Sequence, residues 1–446
     1  MKIKHFVILA FYFLASQVIV AQIYNESNFY KPIENKGIVK NLEKDYGVKT
    51  NLDKSATLKI QKAVDELSGK GGGTLHIPKG NYLLSTIVFK SNVHIIVDKD
   101  VVIILKQEVK NNTLFAMGEK NQPTVKNVSI TCSDKNKKFV VDLTNSGDVP
   151  SVVTMGNVEN FLISGFEVKD NFTKFSSIRM GIDENNGSYF YPTNGIIKNC
   201  STINSHYGYG LIQSQSCKNV LFKDLSGVGG VTLRLETGAK NVNDLQVGGN
   251  FNVVARNISG KNGNAVIMVS PHALQNGTVD IDGAYGESCG FVLRIENGFI
   301  ASKYNKDSKI QVGSYEQVTA KNIKGVYGTE AQLKSKHFKF MPCELRSQIH
   351  PSPENENRAT LGTVPIFTGP AIGVVVVTDE YPTSISNVEA IGFNNQAIMK
   401  ESDADNCGDA PIVAEKKVLV TKDKSDQKTK VKNKESKTQK LKNEGN

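Results

Sequence analysis

One pattern of apolar and polar residues recurs between about residue 75 and residue 400. Apolar residues alternate with polar ones, an Asn or Asp follows, and one more apolar residue precedes a closing Ser or Gly. A second short strand pattern, such as V-T-L-R-L-E-T or F-V-L-R-I-E-N, comes soon after each copy. The copies include I-I-K-N-C-S at 196–201, V-L-F-K-D-L-S-G at 220–227, V-V-A-R-N-I-S-G at 253–260 and V-T-A-K-N-I-K-G at 318–325.

Repetition of this unit predicts a solenoid. A single copy cannot bury its apolar side chains alone, whereas stacked copies bury them in one continuous core. The Asn or Asp at a fixed place suits a corner at which each coil turns between two strands. A β-sandwich would instead show hairpin turns about every 8–12 residues. We therefore predict an all-β fold, a right-handed parallel β-helix.

Two segments depart from the repeat. Ser55 is the predicted N-cap of a helix over 55–68, which we expect to cover the N-terminal end of the solenoid. Residues 335–370 predict a C-terminal loop insertion or small subdomain, and long insertions of this kind are often functional. The β-helix domain is thus expected to span 22–414. The predicted helix has apolar residues at 3.6-residue spacing, namely Ile60, Ala63, Val64 and Leu67.

The first residues read as an export signal. Lys2 and Lys4 precede an apolar stretch, and the small Ala21 stands at a suitable cleavage point, which predicts a signal peptide over 1–21. No later stretch approaches the roughly 18 apolar residues of a membrane-spanning helix. We therefore expect a secreted protein, extracellular or periplasmic, with no membrane span.

The net charge of +10 is concentrated at the chain ends. The leader contributes two charges, and the tail 415–446 contributes six from eleven Lys and five acidic residues, so the body carries about +2. The tail is predicted to be disordered. The charge is therefore no argument for nucleic acid as a partner.

Six Cys residues would permit three disulfides in an exported chain. The sequence contains no C-x-x-C, so the spacing of the Cys residues does not indicate a metal site. Cys200 falls at an apolar position of the repeat and is expected to point inward. Cys343 and Cys407 lie in irregular segments and could pair.

The second strands can be aligned by their apolar residues, and the alignment places polar side chains in two rows on one outward face. The expected inward residues are Ile212, Leu233, Ile267, Leu293 and Leu333. The first outward row is Gln213, Arg234, Met268, Arg294 and Lys334. The second outward row is Gln215, Glu236, Ser270, Glu296 and Lys336, with His272 close behind in S-P-H.

A solvated charged face is the simplest interpretation of these rows. However, R-L-E and R-I-E repeat on equivalent strands, beside the Tyr-rich H-Y-G-Y-G at 206–210. Two carboxylates are what the hydrolysis of a glycosidic bond requires, one as acid and one to activate water. Cations beside them would bind sulfate or uronate groups. The pattern favours hydrolysis of an anionic polysaccharide.

The sequence resembles glycoside hydrolase family 82, the iota-carrageenases. The resemblance is carried by Y-G-L-I-Q (209–213), G-V-G-G-V-T-L-R-L-E-T (227–237), S-P-H (270–272) and S-C-G-F-V-L-R (288–294). It implies a β-helix enzyme that cleaves β-1,4 linkages of a sulfated algal galactan, iota-carrageenan, with inversion and by internal attack. It further implies Glu236 as general acid, Gln213 beside it, and His272 in the groove.

One position departs from the family. The family pattern is E-x-D, with the Asp as base, and the corresponding residue here is Gly238. Glu296 is the best substitute by spacing, two coils from Glu236 and so about 10 Å away. Asp244 and Glu330 are the fallback candidates.

Ions and alternative functions complete the expectations. The resemblance is compatible with structural Ca²⁺ or Na⁺ and a halide near Gln213, although the sequence itself shows no ion site and the reaction requires no cofactor. Arg234, Arg294, Lys334, Lys336 and Gln215 are the further substrate-binding candidates. A non-catalytic binder of sulfated polysaccharide, favoured by Gly238, and a β-helix lyase remain alternatives. A polygalacturonase would need N-T-D, D-D and G-H-G motifs, which the sequence lacks.

Overall fold

A computed structural model describes residues 24–33, 37–107, 113–147, 149–304, 309–352, 366–404 and 407. The predicted leader 1–21 and the Lys-rich tail 415–446 lie outside the described residues. Within the described part of the chain, none of the helices is both long and apolar enough to cross a bilayer.

The described chain forms the predicted right-handed parallel β-helix, whose coils alternate between two parallel sheets. We call the ten-stranded sheet, which carries the R-x-E strands, the cleft sheet. In stacking order its strands are Ile87–Val88, Thr113–Met117, Ser151–Met155, Ile178–Met180, Ile212–Ser214, Val231–Glu236, Ala265–Ser270, Phe291–Ile295, Gly373–Val377 and Ile398–Lys400.

The second sheet has sixteen strands and forms the back of the solenoid. In the N-terminal half it consists of two rows of short strands, which merge at the long strand Cys217–Gly229 because that strand pairs with both rows. The strands are Val39–Asn41, Gly73–Ile77, Gly80–Leu84, Val93–Val97, Val101–Leu105, Val125–Cys132, Phe139–Asp142, Val158–Ser164, Phe166–Lys169, Thr193–Lys198, Ser201–Ser205, Cys217–Gly229, Asn250–Lys261, Gln275–Glu287, Ser314–Val326 and Thr383–Ile391.

The corners of successive coils are formed by stacked asparagines. Asn92, Asn127 and Asn160 all have left-handed backbone conformations, which Asn tolerates better than most residues. Their side chains also stack: Asn127 donates to Asn92 at 2.8 Å, and Asn160 donates to Asn127 at 2.9 Å. The Asn or Asp of the repeated sequence pattern forms a second ladder of this kind: Asn199, Asp224, Asn257 and Asn322 are also left-handed, and Asn257 donates to Asp224 at 3.0 Å, as expected for a corner.

A helix over Ala56–Gly69 covers the N-terminal end, and all four predicted apolar residues of its inner face are fully buried. Ser55 precedes this helix, but its hydroxyl donates to Asp53 at 2.6 Å and makes no capping bond, contrary to the predicted role. Two short helices span Leu42–Tyr46 and Lys240–Leu245, and 3₁₀ turns span Glu26–Asn28, Ser335–Phe340, Cys343–Gln348 and Glu401–Asp403.

The C-terminal insertion leaves the solenoid. It forms a three-stranded antiparallel sheet, and a disulfide joins Cys343 to Cys407, the pair considered above. Cys200 is fully buried, as expected. The strands of the small sheet are Ala331–Leu333, His350–Pro351 and Phe367–Gly369, and a separate hairpin pairs Asp183–Asn185 with Ser188–Phe190.

The insertion corrects one part of the predicted alignment. Leu333 was expected to stack on Leu293 in the next coil, but Leu333 belongs to the antiparallel sheet. Val375 is the residue that pairs with Leu293, and Val376 follows Arg294 in the outward row. Lys334 and Lys336 therefore do not continue the rows of the cleft sheet.

Candidate active site

Two adjacent carboxylates project from the outward face of the cleft sheet. Register pairs Gln213 with Arg234, Arg234 with Met268, and Met268 with Arg294, as the sequence predicts. Glu236 pairs with Ser270, and Glu296 follows one strand later, so their Cα atoms are about 10 Å apart at the usual strand spacing. The carboxyl groups of an inverting pair are about 6.5–9.5 Å apart, so a Cα spacing of about 10 Å is slightly long for such a pair.

Glu236 is enclosed by three polar side chains. Its Oε2 accepts a close hydrogen bond from the Arg234 guanidinium and a 3.1 Å bond from Gln213 Nε2, and its Oε1 lies 3.3 Å from His272 Nε2. Burial alone would raise the pKa of Glu236, but Arg234 and His272 outweigh burial and hold the pKa at about 2. Glu236 is therefore ionised in the resting site.

His272 is fixed in place by its turn and its neighbours. Its backbone is left-handed, with a φ of 49°, in the turn after Ser270. The ring centroid lies 4.3 Å from that of Phe299, and Nδ1 is 2.7 Å from the Tyr304 hydroxyl. The ring therefore keeps Nε2 directed at Glu236.

Gly238 stands at the position of the Asp in the family pattern E-x-D, and the structure gives a steric reason why a carboxylate would not fit there. A Cβ added to Gly238 would come within 2.7 Å of His272 Nε2, so the imidazole fills the space into which an Asp side chain would extend. The Gly238 carbonyl accepts hydrogen bonds from Lys303 at 2.7 Å and from Tyr304 at 3.3 Å. His272 and the backbone of Gly238 are thus tied to the same tyrosine.

Glu296 has more positive surroundings than Glu236. Its Oε1 accepts from Arg294 at 2.7 Å and from Lys336 at 2.9 Å, and His337 Nε2 lies 3.9 Å away. Burial opposes ionisation, but Arg294, His337 and Lys336 together hold the pKa of Glu296 well below its usual range. Burial also lowers the pKa of His337, which favours its neutral form.

The two arginines lie on the floor of the site, and their donors hold the glutamates. Arg234 also donates to the Gly208 carbonyl, and Arg294 to the Asn264 side chain. Only 3% of Arg294 is exposed, so substrate contact there would be through a small part of the guanidinium. We expected these arginines to meet substrate anions; their visible function is to orient carboxylates.

An open cavity of about 340 Å³ lies above the carboxylates. It brings together most of the predicted residues, namely Arg234, Glu236, His272, Arg294, Glu296, Lys334 and Lys336. Three further lining residues, His206, Tyr207 and Tyr209, belong to the Tyr-rich segment 206–210, whereas no sequence pattern pointed to Lys174, Asn264, Phe299 and His337. A second cavity of about 320 Å³ adjoins it beyond Glu296 and adds Lys339 and Phe340 from the insertion.

Some predicted residues do not face this cavity. Gln215 accepts a hydrogen bond from the Ala239 amide at 2.8 Å and so holds the loop after Glu236. Of the fallback bases, Asp244 pairs with Lys240 on a short helix, and Glu330 is exposed beyond the cavity. Neither is among the lining residues.

Ion sites are a further expectation from the family resemblance. Within the described ranges there is no group of three or more His, Cys, Asp or Glu side chains that could hold a metal ion. At the expected halide position, the Gln213 side-chain donor is directed at Glu236. A halide at Gln213 would have to compete with that carboxylate.

Comparison with known proteins gives two similar sequences. No protein-family model matches the chain. An iota-carrageenase of Zobellia galactanivorans is 32% identical over 440 residues, covering 84% of this chain and 87% of that protein. An iota-carrageenase of Alteromonas macleodii is 36% identical over 281 residues, covering 62% of this chain and 56% of that protein.

Solved structures agree with the sequence comparison. An iota-carrageenase in complex with iota-carrageenan fragments superposes with a TM-score of 0.79 at 27% identity, covering 87% of this chain and 96% of that one. A family 82 iota-carrageenase from A. fortis, solved in the absence of chloride ions, gives 0.78 at 27% identity, covering 87% and 94%. A 1,3-α-1,4-β-D-galactose-4-sulfate-3,6-anhydro-D-galactose-2-sulfate 4-galactohydrolase gives 0.78 at 29% identity, covering 86% and 96%.

Proposed function

The chain belongs to glycoside hydrolase family 82, the iota-carrageenases, and on that premise we propose that it hydrolyses the β-1,4 linkages of iota-carrageenan by internal attack. The observation that carries the proposal is the pair of R-x-E strands, which place two partly buried carboxylates in one cation-lined cavity. The lysines at its rim complement a sulfated polysaccharide.

Glu236 is the proposed general acid and Glu296 the proposed water-activating base. In an inverting reaction Glu236 gives a proton to the glycosidic oxygen as the bond breaks, while Glu296 takes a proton from the water that attacks the opposite face. Arg294 and Lys336 keep Glu296 ionised, as a base must be. The same two cations make Glu296 a weak base, because both donate to its Oε1.

Glu236 must gain its proton after substrate has bound, because the resting carboxylate has a pKa of about 2. We propose that a substrate sulfate draws the Arg234 guanidinium away, which removes the main cation that favours ionisation. His272 Nε2, 3.3 Å from Oε1, is the adjacent group that can pass a proton to Glu236, since an imidazolium formed with a proton from solvent returns to the neutral imidazole when it gives that proton up. Tyr304 at Nδ1 positions the ring for that transfer.

We also propose that the protein is exported, on the basis of the leader at 1–21, and that the groove residues act without a cofactor. Structural Ca²⁺ or Na⁺ and a halide near Gln213 stay proposals from the family resemblance. Dialysis against a chelator, and assays in chloride-free nitrate buffer, would test whether activity depends on these ions.

The decisive experiment is reducing-end release from kappa-, iota- and lambda-carrageenan, agarose and pectate. We expect release from iota-carrageenan alone, with no absorbance near 235 nm, the mark of a lyase product. Binding to iota-carrageenan without release would show a non-catalytic binder, the alternative for which Gly238 gives a reason. Absorbance without hydrolysis would show a lyase.

A further inference from the structure

A third arginine stands in the same outward row as Arg234 and has no carboxylate partner on its strand. Arg179 lies on Ile178–Met180, and register pairs it with Gln213, which pairs in turn with Arg234. Two residues after Arg234 and Arg294 come Glu236 and Glu296. Two residues after Arg179 comes Gly181, so the R-x-E pattern is here R-x-G.

The Arg179 guanidinium is half-buried and makes no hydrogen bond or ion pair with the residues that the structure describes. Its Nε is fully buried without an acceptor, as are the Nε atoms of Arg234 and Arg294, so Arg179 differs from them because its terminal nitrogens also have no acceptor among the described residues. Leaving a charged donor without a partner is costly, so such a group indicates a missing anion. The two arginines that follow it in the row both have carboxylate partners.

The space beside Arg179 is open. A Cβ added to Gly181 would meet no atom within 4 Å, and the backbone there is not left-handed. Open space therefore begins beside Arg179 at the position where the glutamate Cβ atoms stand in the two R-x-E strands. A small anion bound there would make the contacts with Arg179 that Glu236 makes with Arg234.

Arg179 is not among the lining residues of the cavity, but aromatic rings connect it to that lining. Its guanidinium lies 4.4 Å from the Phe175 ring centroid, and Phe175 packs edge-on against Tyr209 at 5.9 Å. Tyr209 lines the cavity, and the Arg234 guanidinium lies over the Tyr209 ring, 5.3 Å from the ring centroid. Lys174, next to Phe175, lines the same cavity.

We infer that Arg179 and the space above Gly181 form a binding subsite for a sulfate ester of the polysaccharide, on the N-terminal side of the cleavage point. This inference rests on the proposed function, which supplies the sulfated chain. Arg179 lies two strands from Arg234, about 10 Å along the groove. The planar guanidinium suits bidentate binding of a sulfate.

Binding of iota-carrageenan oligosaccharides tests the subsite without requiring turnover. The full chain is used with Glu236→Gln to prevent cleavage, and affinity is measured by calorimetry with oligosaccharides of increasing length. Adding Arg179→Ala should weaken binding of the longer oligosaccharides roughly ten- to a hundredfold. Arg179→Lys should lose part of the affinity, because the charge remains but the fork is lost.

Gly181→Glu is the second variant and keeps the inference testable if Arg179→Ala folds poorly. It should create a third R-x-E pair and compete with sulfate, which would weaken binding to a similar extent without lowering the melting temperature. Arg256→Ala is the matched control, since Arg256 is a partly buried arginine of the back sheet that pairs with Asp280. It should leave binding unchanged.

The outcomes separate the subsite from the proposed function. If wild type cleaves iota-carrageenan but Arg179→Ala and Gly181→Glu bind like their parent, the subsite is wrong and the function stands. If wild type neither binds nor cleaves the polysaccharide, both fail. If chloride titration shows an ion lost in Arg179→Ala while oligosaccharide affinity is unchanged, the site holds a halide and the sulfate inference is overturned.

Discussion

The strands Val231–Glu236 and Phe291–Ile295 carry the same R-x-E pattern but give their glutamates different surroundings. Glu236 contacts one arginine, a glutamine and His272, whereas Glu296 contacts an arginine and Lys336 and lies close to His337. Each strand fixes where its carboxylate points. The loops beside each strand determine how many cations contact its glutamate. The number of cations in turn determines which of the two glutamates can exchange a proton.

Glu236→Gln should have the largest effect, because it removes the proposed acid while keeping size and most hydrogen bonds. We expect kcat to fall on the order of 10⁴-fold, with little change in KM, since the lost interaction belongs to the transition state. Initial rates on iota-carrageenan measure both constants. A variant with near-normal kcat would mean that the acid is another residue.

Glu296→Ala should have a somewhat smaller effect and would complete the comparison of the two carboxylates. Loss of the base should lower kcat on the order of 10³-fold, and added azide should restore part of it, because azide is a nucleophile that needs no base to remove a proton. Glu296→Gln is the control, because it leaves no space for azide. If Glu296→Ala keeps its kcat while Glu236→Gln is inactive, the base is a different group.

Gly238→Asp restores the family's E-x-D and tests whether His272 excludes the second carboxylate. Since the added Cβ would lie 2.7 Å from the ring, we expect overpacking to lower the free energy of unfolding by about 2 kcal/mol. We expect no gain in kcat. Chemical denaturation measures the first effect, and the double variant with His272→Ala, which creates space, should recover stability. A stable and more active single variant would contradict the steric argument.

The period-2 strands were predictable because their pattern is local. Alternation and the repeated R-x-E were sufficient to place Glu236 and Glu296 in one face and to give the register that the structure confirms. The helix at the N-terminal end followed in the same way from its 3.6-residue apolar spacing.

The failures involve irregular segments. Lys334 and Lys336 were placed in a further coil because Leu333 resembles an inward residue, yet the insertion folds antiparallel and reaches the same cavity by another route. Tyr304 and His337 had no periodic signal. His272 occupies the space beside Gly238 because its own backbone is left-handed, and two strands of the chain separate the two residues. A local sequence pattern cannot predict a contact of this kind.

The smallest predicted effect is on acid stability, and it again separates the two strands. The folded pKa of Glu236, about 2, lies below its usual value of 4.5, so folding favours the ionised form. Its contribution to stability is therefore fully present above about pH 4.5 and is lost as the pH falls toward 2.

Melting temperatures between pH 6 and pH 2.5 should fall for wild type and fall less steeply for Glu236→Gln. The exposed Glu344→Gln is the control and should follow wild type. The pKa of Glu296 is also held well below its usual range, by Arg294, His337 and Lys336, so this residue should keep part of the acid dependence in the Glu236→Gln variant. A flat profile in wild type would show that the two arginines do not favour the ionised glutamates as the geometry indicates.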